Sequence, residues 1–133
     1  EGDYIVIKGG AGQFVFDMKM KPYFVQANPA VRADCGRAAL MYGPVVYCLE
    51  RLDNPYELNS VRVVSGGKIE KTNGNGFDMP QFIAEGIKDS DFGTLYRKLQ
   101  PQSEKVKLLF RPYWTFANRQ ECDMIIWVRC DVL

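Results

Sequence analysis

Histidine is absent from this chain of 133 residues. Its absence excludes a Ser-His-Asp triad, a Cys-His dyad and any His-ligated metal within these residues. Long apolar runs are missing too, since none approaches the roughly 20 residues that a membrane helix needs. Neither sign of charge dominates: 17 Lys and Arg face 16 Asp and Glu, dispersed along the chain. No basic patch points to DNA or RNA, and there is no acidic tail. The chain opens on Glu1-Gly2-Asp3 without a basic and apolar leader. A domain cut from a longer protein would open in the same way.

Cysteine is scarce as well. Cys35, Cys48, Cys122 and Cys130 form no CxxC pair, and their spacings match no zinc template. Cys48 and Cys130 each lie in an apolar, strand-like run. Buried free thiols acting as small hydrophobes are therefore expected at both. A disulfide stays open, because spacing does not fix connectivity.

What is present points to a packed β-fold. Apolar residues make up 47% of the chain, with eight Phe, seven Tyr and two Trp, a composition that excludes a disordered tail. The length suits one domain with a real core. Tyr4-Ile-Val-Ile7 reads as a short strand ended by glycines. Phe14, Phe16, Met18 and Met20 alternate with polar residues and Val15, the period of a strand with one buried face. Pro22 interrupts it, and Tyr23 to Gln26 continue the strand past a bulge. Asn28-Pro29 marks a turn, Val31-Arg-Ala33 a strand, and Asp34-Cys-Gly36 a tight turn. Arg37 to Met41 is ambiguous between strand and helix. Val45 to Leu49 suits a central strand covered on both faces. Arg51 to Asn59 reads as loop or a short helical turn. Val61 to Val64 and Lys68 to Lys71 read as a hairpin, and Asn73-Gly-Asn-Gly76 as a turn. Phe82-Ile-Ala84 is a short strand, and Asp89 to Pro101 a loop. Lys105 to Arg111 and Met124 to Asp131 are the cleanest strands of the second half. The expectation is an all-β fold, an antiparallel β-sandwich of the jelly-roll kind, with residues 1–133 forming a single domain.

Two constellations carry possible chemistry. A glycosidase needs two carboxylates about 5 to 10 Å apart. Glu50, Asp53, Glu57, Asp78, Glu85, Asp89 and Asp91 are available, but none sits in a motif. Glu50 closes an apolar strand. It is expected to pair with an arginine such as Arg51 or Arg119 rather than to catalyse. The second constellation is Tyr113, Trp114 and Phe116 beside Asn118 and Arg119. A sugar site stacks rings on C–H faces and offers amide and guanidinium donors to hydroxyls. Aromatics in β-domains more often fill the core, so Tyr113 and Trp114 are expected to pack where a strand turns a corner. Tyr42 and Tyr47 are expected to pack likewise. Asn73 to Gly76 lacks the Lys-Ser/Thr of a phosphate loop. Asp89-Ser-Asp91 is too little for a calcium loop.

Two motifs in order resemble one known family. Ala27-Asn-Pro29 with Val31 leads into Gly36-Arg-Ala-Ala-Leu-Met-Tyr-Gly-Pro-Val-Val-Tyr-Cys-Leu-Glu50. Near the end come Arg111-Pro-Tyr-Trp-Thr-Phe-Ala-Asn-Arg119 and Met124 to Trp127. This series resembles the C-terminal β-domain of the bacterial β-L-arabinofuranosidases, glycoside hydrolase family 127. Met41 and Tyr42 stand where the family usually has Gln-Arg. Phe116 stands where it usually has Trp, and Gln120 replaces a usual Gly. These departures touch local contacts more than the fold. The resemblance implies that chemistry belongs to a separate helical barrel, where zinc held by cysteines and a glutamate works with a cysteine nucleophile. No catalytic or metal residue carries over to this chain, and zinc is expected only in that missing catalytic domain. The implied role is a non-catalytic accessory domain. Its implied partners are the catalytic barrel domain of the same polypeptide and a second copy in homodimer contacts. The implied origin is bacterial, with the periplasm and the cytoplasm both open. The alternative is a carbohydrate-binding module using Tyr113, Trp114, Asn118 and Arg119.

Overall fold

The computed structural model describes residues 4, 6–10, 12–73, 79–100 and 102–131. Among these, the strands in chain order are β1 (Pro22–Gln26), β2 (Arg37–Tyr42), β3 (Val45–Glu50), β4 (Val61–Val64), β5 (Ile69–Thr72), β6 (Gln81–Asp89), β7 (Ser103–Pro112), β8 (Met124–Ile125) and β9 (Val128–Asp131). Single 3₁₀ turns occupy Leu58–Ser60 and Tyr113–Thr115, and no α-helix occurs among the described residues. The fold is all-β, as expected. Every described pairing is antiparallel except β4 with β9.

The pairings close on themselves. β2 pairs β9, β9 pairs β4, β4 pairs β6, β6 pairs β7, β7 pairs β3, and β3 returns to β2. β1 is added outside this circuit on β2, β5 on β6 and β8 on β3. Closure removes exposed edges from the six strands of the circuit. Alternate residues along those strands then meet in one interior. Leu40, Tyr47, Leu49, Val61, Val63, Phe82, Ala84, Leu108, Phe110 and Val128 form that core. Tyr42 and Tyr47 both pack on Phe82, with ring centroids 5.1 and 5.2 Å apart. The Tyr47 hydroxyl donates to the Pro80 carbonyl at 2.8 Å.

Two glycines are dictated by geometry. Gly43, at φ +57°, takes the first central position of the two-residue loop joining β2 to β3, with Pro44 second. That combination suits a II′ hairpin turn. Gly86 lies under Leu108, where an added Cβ would come within 2.5 Å of the leucine Cδ1. Core packing here requires a missing side chain.

Several expectations are corrected. Phe14 to Met20 forms no strand, and Phe14, Phe16 and Met18 are exposed. Only the continuation, Pro22–Gln26, pairs. Of the run at the start, Ile5 lies outside the described residues, and Tyr4, Val6 and Ile7 are exposed without strand pairing. Val31 to Ala33 belongs to turns, because Val31 N donates to Asn28 O and Asp34 N to Val31 O. β4 and β5 are not a hairpin with each other. Both lie along one edge of the long β6, end to end. The strand read over Met124 to Asp131 breaks at Ile126 and Trp127, because β8 pairs β3 while β9 lies between β2 and β4. Of Asn73 to Gly76, residues 74–76 lie outside the described residues.

Candidate functional site

Alternation on β3 sends Tyr47 and Leu49 into the core and Cys48 and Glu50 to the opposite face. Cys48 stands across from Arg111 of β7. After β7, Pro112 ends the strand and the 3₁₀ turn begins. Thr115 Oγ1 donates to Pro112 O at 2.8 Å, and Phe116 N donates to Tyr113 O at 3.0 Å. Ala117 then adopts φ +60°, the left-handed region that costs a non-glycine residue about 1–2 kcal/mol. This reversal brings Arg119 back over the outer face of β3.

Arg119 joins two carboxylates. Its Nη2 donates to Glu50 Oε2 at 2.9 Å, and its Nη1 donates to Asp53 Oδ1 at 2.8 Å. Arg111 grips Asp53 from the other side, with Nε to Oδ2 at 2.6 Å and Nη2 to Oδ1 at 3.3 Å. Gln81, with its amide oxygen turned toward the guanidinium, accepts from Arg111 Nη2 at 3.2 Å. Paired guanidinium–carboxylate forks of this kind fix orientation as well as charge. Burial raises the Asp53 carboxyl, but the hydrogen bonds from Arg119 and Arg111 outweigh it and hold the pKa below the ordinary value. The bonds from Asp53, and then those from Glu50, drive the Arg119 pKa upward. Glu50 is only 1% exposed, and its Oε1 has no hydrogen-bond partner. The Cys122 thiol lies 3.9 Å from its other oxygen.

Asn54 completes the cluster. Its Nδ2 donates to Glu50 O and to Leu109 O, both at 3.0 Å, and its Oδ1 accepts from Leu109 N at 2.9 Å. One side-chain amide thus pairs the Leu109 backbone much as a neighbouring strand would. Asp53, Asn54, Gln81 and Arg111 were not singled out as members of this cluster from sequence. The only signal was an acid and an amide directly after a buried strand, which also fits an ordinary turn.

The expected pairing of Glu50 with an arginine is present, and of Arg51 and Arg119 it is Arg119 that makes it. The expected packing of Tyr113 and Trp114 is not, since they are 46% and 54% exposed. The 3₁₀ turn buries Thr115 and leaves the two rings outside. Asn118 is exposed on the same loop. Arg119 differs from its neighbours in turning inward, where its donors are engaged by Glu50 and Asp53. Asp78 lies outside the described residues. Glu57 pairs with Arg51 at 2.7 Å. Asp89 pairs with Arg62 at 2.6 Å and Arg129 at 2.8 Å. Glu85 accepts from Lys68 N at 3.4 Å, and Asp91 from Gly93 N at 3.1 Å.

All four cysteines are free thiols. Burial, with help from the Glu50 charge, pushes the Cys48 thiol up to about 12. That is opposite to the thiolate a metal requires. Among the described residues no group of three or more Cys, Asp or Glu is placed to hold a metal ion.

Fold and site together define a class: an all-β domain whose clustered charges fasten a loop across the outer face of a strand. The chain belongs to the glycoside hydrolase family 127 C-terminal domain family, whose profile matches residues 22–129. It is 30% identical to the non-reducing end β-L-arabinofuranosidase of Bifidobacterium longum subsp. longum over 143 residues. That match covers 95% of this chain and 21% of the relative. Among solved structures it is similar to Ara127N-Se, a GH127 β-L-arabinofuranosidase from Geobacillus stearothermophilus T6. The TM-score is 0.78 at 30% identity, covering 84% of this chain and 18% of that one. The GH127 β-arabinofuranosidase BT3674 matches with a TM-score of 0.72 at 30% identity, covering 85% of this chain and 18% of that one. The chain thus spans about a fifth of the length of these relatives.

Proposed function

We propose that this chain is the non-catalytic accessory β-domain of a β-L-arabinofuranosidase-like glycoside hydrolase. Its role is to buttress a helical catalytic barrel carried by the same polypeptide, and zinc belongs to that barrel. The observation that carries this reading is the state of the two clustered acids. Glu50 and Asp53 are both held by Arg119, and Asp53 also by Arg111. A general acid must reach a leaving-group oxygen and a nucleophile must reach an anomeric carbon. Carboxylates fixed in this way under a loop do neither. Deletion of residues 22–131 from the full-length polypeptide is the test. The expected result is a catalytic part that melts at lower temperature and loses activity faster on warming. A remainder with unchanged melting temperature and unchanged kcat would overturn the role.

A second reading is favoured by one observation, the exposure of Tyr113 and Trp114 beside Asn118. Two solvent-facing rings and an amide are the parts of a sugar platform. In that reading the domain is a carbohydrate-binding module. Oligosaccharide titration of wild type and Trp114→Ala separates the two, with saturable binding lost in the variant supporting the module.

A further inference from the structure

The register of three strands gathers arginines that the sequence keeps apart. Val61, Val63 and Val128 face the core, so alternation turns Arg62 of β4 and Arg129 of β9 to the outer face. The parallel pairing of β4 with β9 sets Arg62 opposite Arg129, and the antiparallel pairing of β2 with β9 sets Arg37 opposite Arg129 as well. Directly paired residues share a face and lie within side-chain reach. Three cations thus stand in a row across β2, β9 and β4. Like charges opposite each other weaken a sheet, so strand pairing gives no reason for the row. Strands ~4.8 Å apart give it a length of roughly 10 Å.

A cleft opens beside the row. Its volume is about 520 Å³, with Arg62, Asp89 and Arg129 on the strand side and Phe92, Arg97 and Lys98 on the loop that follows β6. That is an ordinary size for a small-ligand site. Five cations line or flank this cleft, and two carboxylates meet them. Asp89 accepts from Arg62 at 2.6 Å and from Arg129 at 2.8 Å, and Asp131 lies 3.4 Å from the Arg62 Nε. Two of the other cations are held by neutral groups. Arg37 Nη1 donates to Trp127 O at 3.2 Å. Arg97 lies 4.0 Å over the Phe92 ring, and its Nη1 donates to Gln102 Oε1 at 3.0 Å. Lys98 is exposed. A neutral acceptor fixes a guanidinium without cancelling its charge, which leaves that charge for a ligand.

We infer that this cleft and the arginine row beside it bind an acidic oligosaccharide, a chain of uronate residues whose carboxylates meet Arg37, Arg129, Arg97 and Lys98. Guanidinium forks match the planar carboxylate. Ser90, Gln102 and Ser103 line the same cleft and supply neutral groups for hydroxyls. A row of roughly 10 Å meets more than one carboxylate, which suits a chain better than a single small anion. Nucleic-acid bases find no stacking platform, because Phe92 is the aromatic residue lining the cleft and Arg97 already lies over its ring. The anion follows from the cleft alone. A sugar as its carrier rests on the proposed reading of the chain as part of a glycoside hydrolase. The site is separate from the Tyr113 and Trp114 rings, since the cleft lies at the start of β7 and those rings beyond its end.

Titration of the 133-residue chain with trigalacturonate, followed by calorimetry and amide NMR shifts, tests it. Saturable binding is expected, with the shifts centred on Arg62, Arg97 and Arg129. Neutral arabinotriose should bind at least about tenfold more weakly, and Arg37→Gln and Lys98→Gln should each weaken trigalacturonate about tenfold, the value of one charge-assisted hydrogen bond. Arg37→Gln relieves like-charge repulsion, so its melting temperature should stay level or rise. Trp114→Ala should bind as the wild type does. Absence of saturable binding, equal binding of arabinotriose, or binding lost in Trp114→Ala would overturn the inference. Inorganic phosphate displacing trigalacturonate at equal concentration would overturn it in favour of an unselective anion patch. A single-stranded oligonucleotide bound more tightly would overturn it in favour of nucleic acid. A lower melting temperature with unchanged binding in Arg37→Gln would show the row to be structural and overturn it as well. Each of these results leaves the accessory role standing. That role fails separately, in a catalytic part indifferent to deletion of residues 22–131.

Discussion

Replacing Arg119 with alanine removes the charged partner of Glu50 Oε2 and leaves it only the weak Cys122 thiol, while the companion Oε1 already has none. With Arg119 in place the carboxylate is 1% exposed, so hydrating it in the variant requires water to enter the space the side chain leaves. Breaking a buried ion pair from one side costs about 3–5 kcal/mol, because a desolvated charge is left uncompensated. Arg119 is itself 30% exposed, which favours the lower end, about 3 kcal/mol. For a domain of this size that is a fall in Tm of roughly 10–15 °C. Asp53 keeps its fork from Arg111, so its own loss is smaller. The loss traced to Glu50 should be reversible from the other side. In the Arg119→Ala background, Glu50→Leu removes the stranded charge and should recover more than half of the lost Tm. Thermal unfolding of the wild type, both single variants and the double variant completes the cycle. An Arg119→Ala protein within about 3 °C of wild type would refute the reasoning. So would a double variant no more stable than Arg119→Ala alone.

Three further outcomes follow from the same structure. Trp114→Ala, at a half-exposed ring, should cost less than about 1 kcal/mol in urea unfolding, and a loss of about 3 kcal/mol or more would show the ring to be core after all. Gly86→Ala forces a methyl into Leu108 and should destabilise by about 1–3 kcal/mol, whereas a neutral result would mean Leu108 moves freely. Asp53 titrates below its unfolded value of about 3.9, so its contribution is full above that pH and lost as pH falls through the folded pKa. Tm should therefore fall steeply below about pH 4, with a shallower slope in Asp53→Asn. Equal slopes in the two proteins would contradict this.

Strand identity was legible where burial alone sets the pattern, on one face or on both. β3 and β7 follow directly from Val45 to Leu49 and from Val106, Leu108 and Phe110, since burial alone explains those patterns. β6 was read too short, because Glu85 is exposed, Lys88 and Asp89 are charged, and Gly86 carries no side chain to report its burial. Partner choice was not legible. Alternation over Met124 to Asp131 is continuous, yet the two halves pair with different strands. The same limit misled the reading of Phe14 to Met20, where the period is present and the partner is not. At the site, an arginine partner for Glu50 followed from a carboxylate at the end of an apolar strand, but the choice of Arg119 over Arg51 did not. Asp53 and Arg111 did not, because their meeting depends on the register of β3 against β7. Tyr113 and Trp114 were misread because composition does not tell which way a single 3₁₀ turn points.

The central claim is that this domain supports catalysis elsewhere and performs none itself. Hydrolysis of aryl β-L-arabinofuranosides and other aryl glycosides by the purified 133-residue chain, with and without added Zn²⁺, tests it most directly. The expected result is no turnover above the buffer rate under either condition. Turnover that Glu50→Gln abolishes while leaving the protein folded would contradict the account.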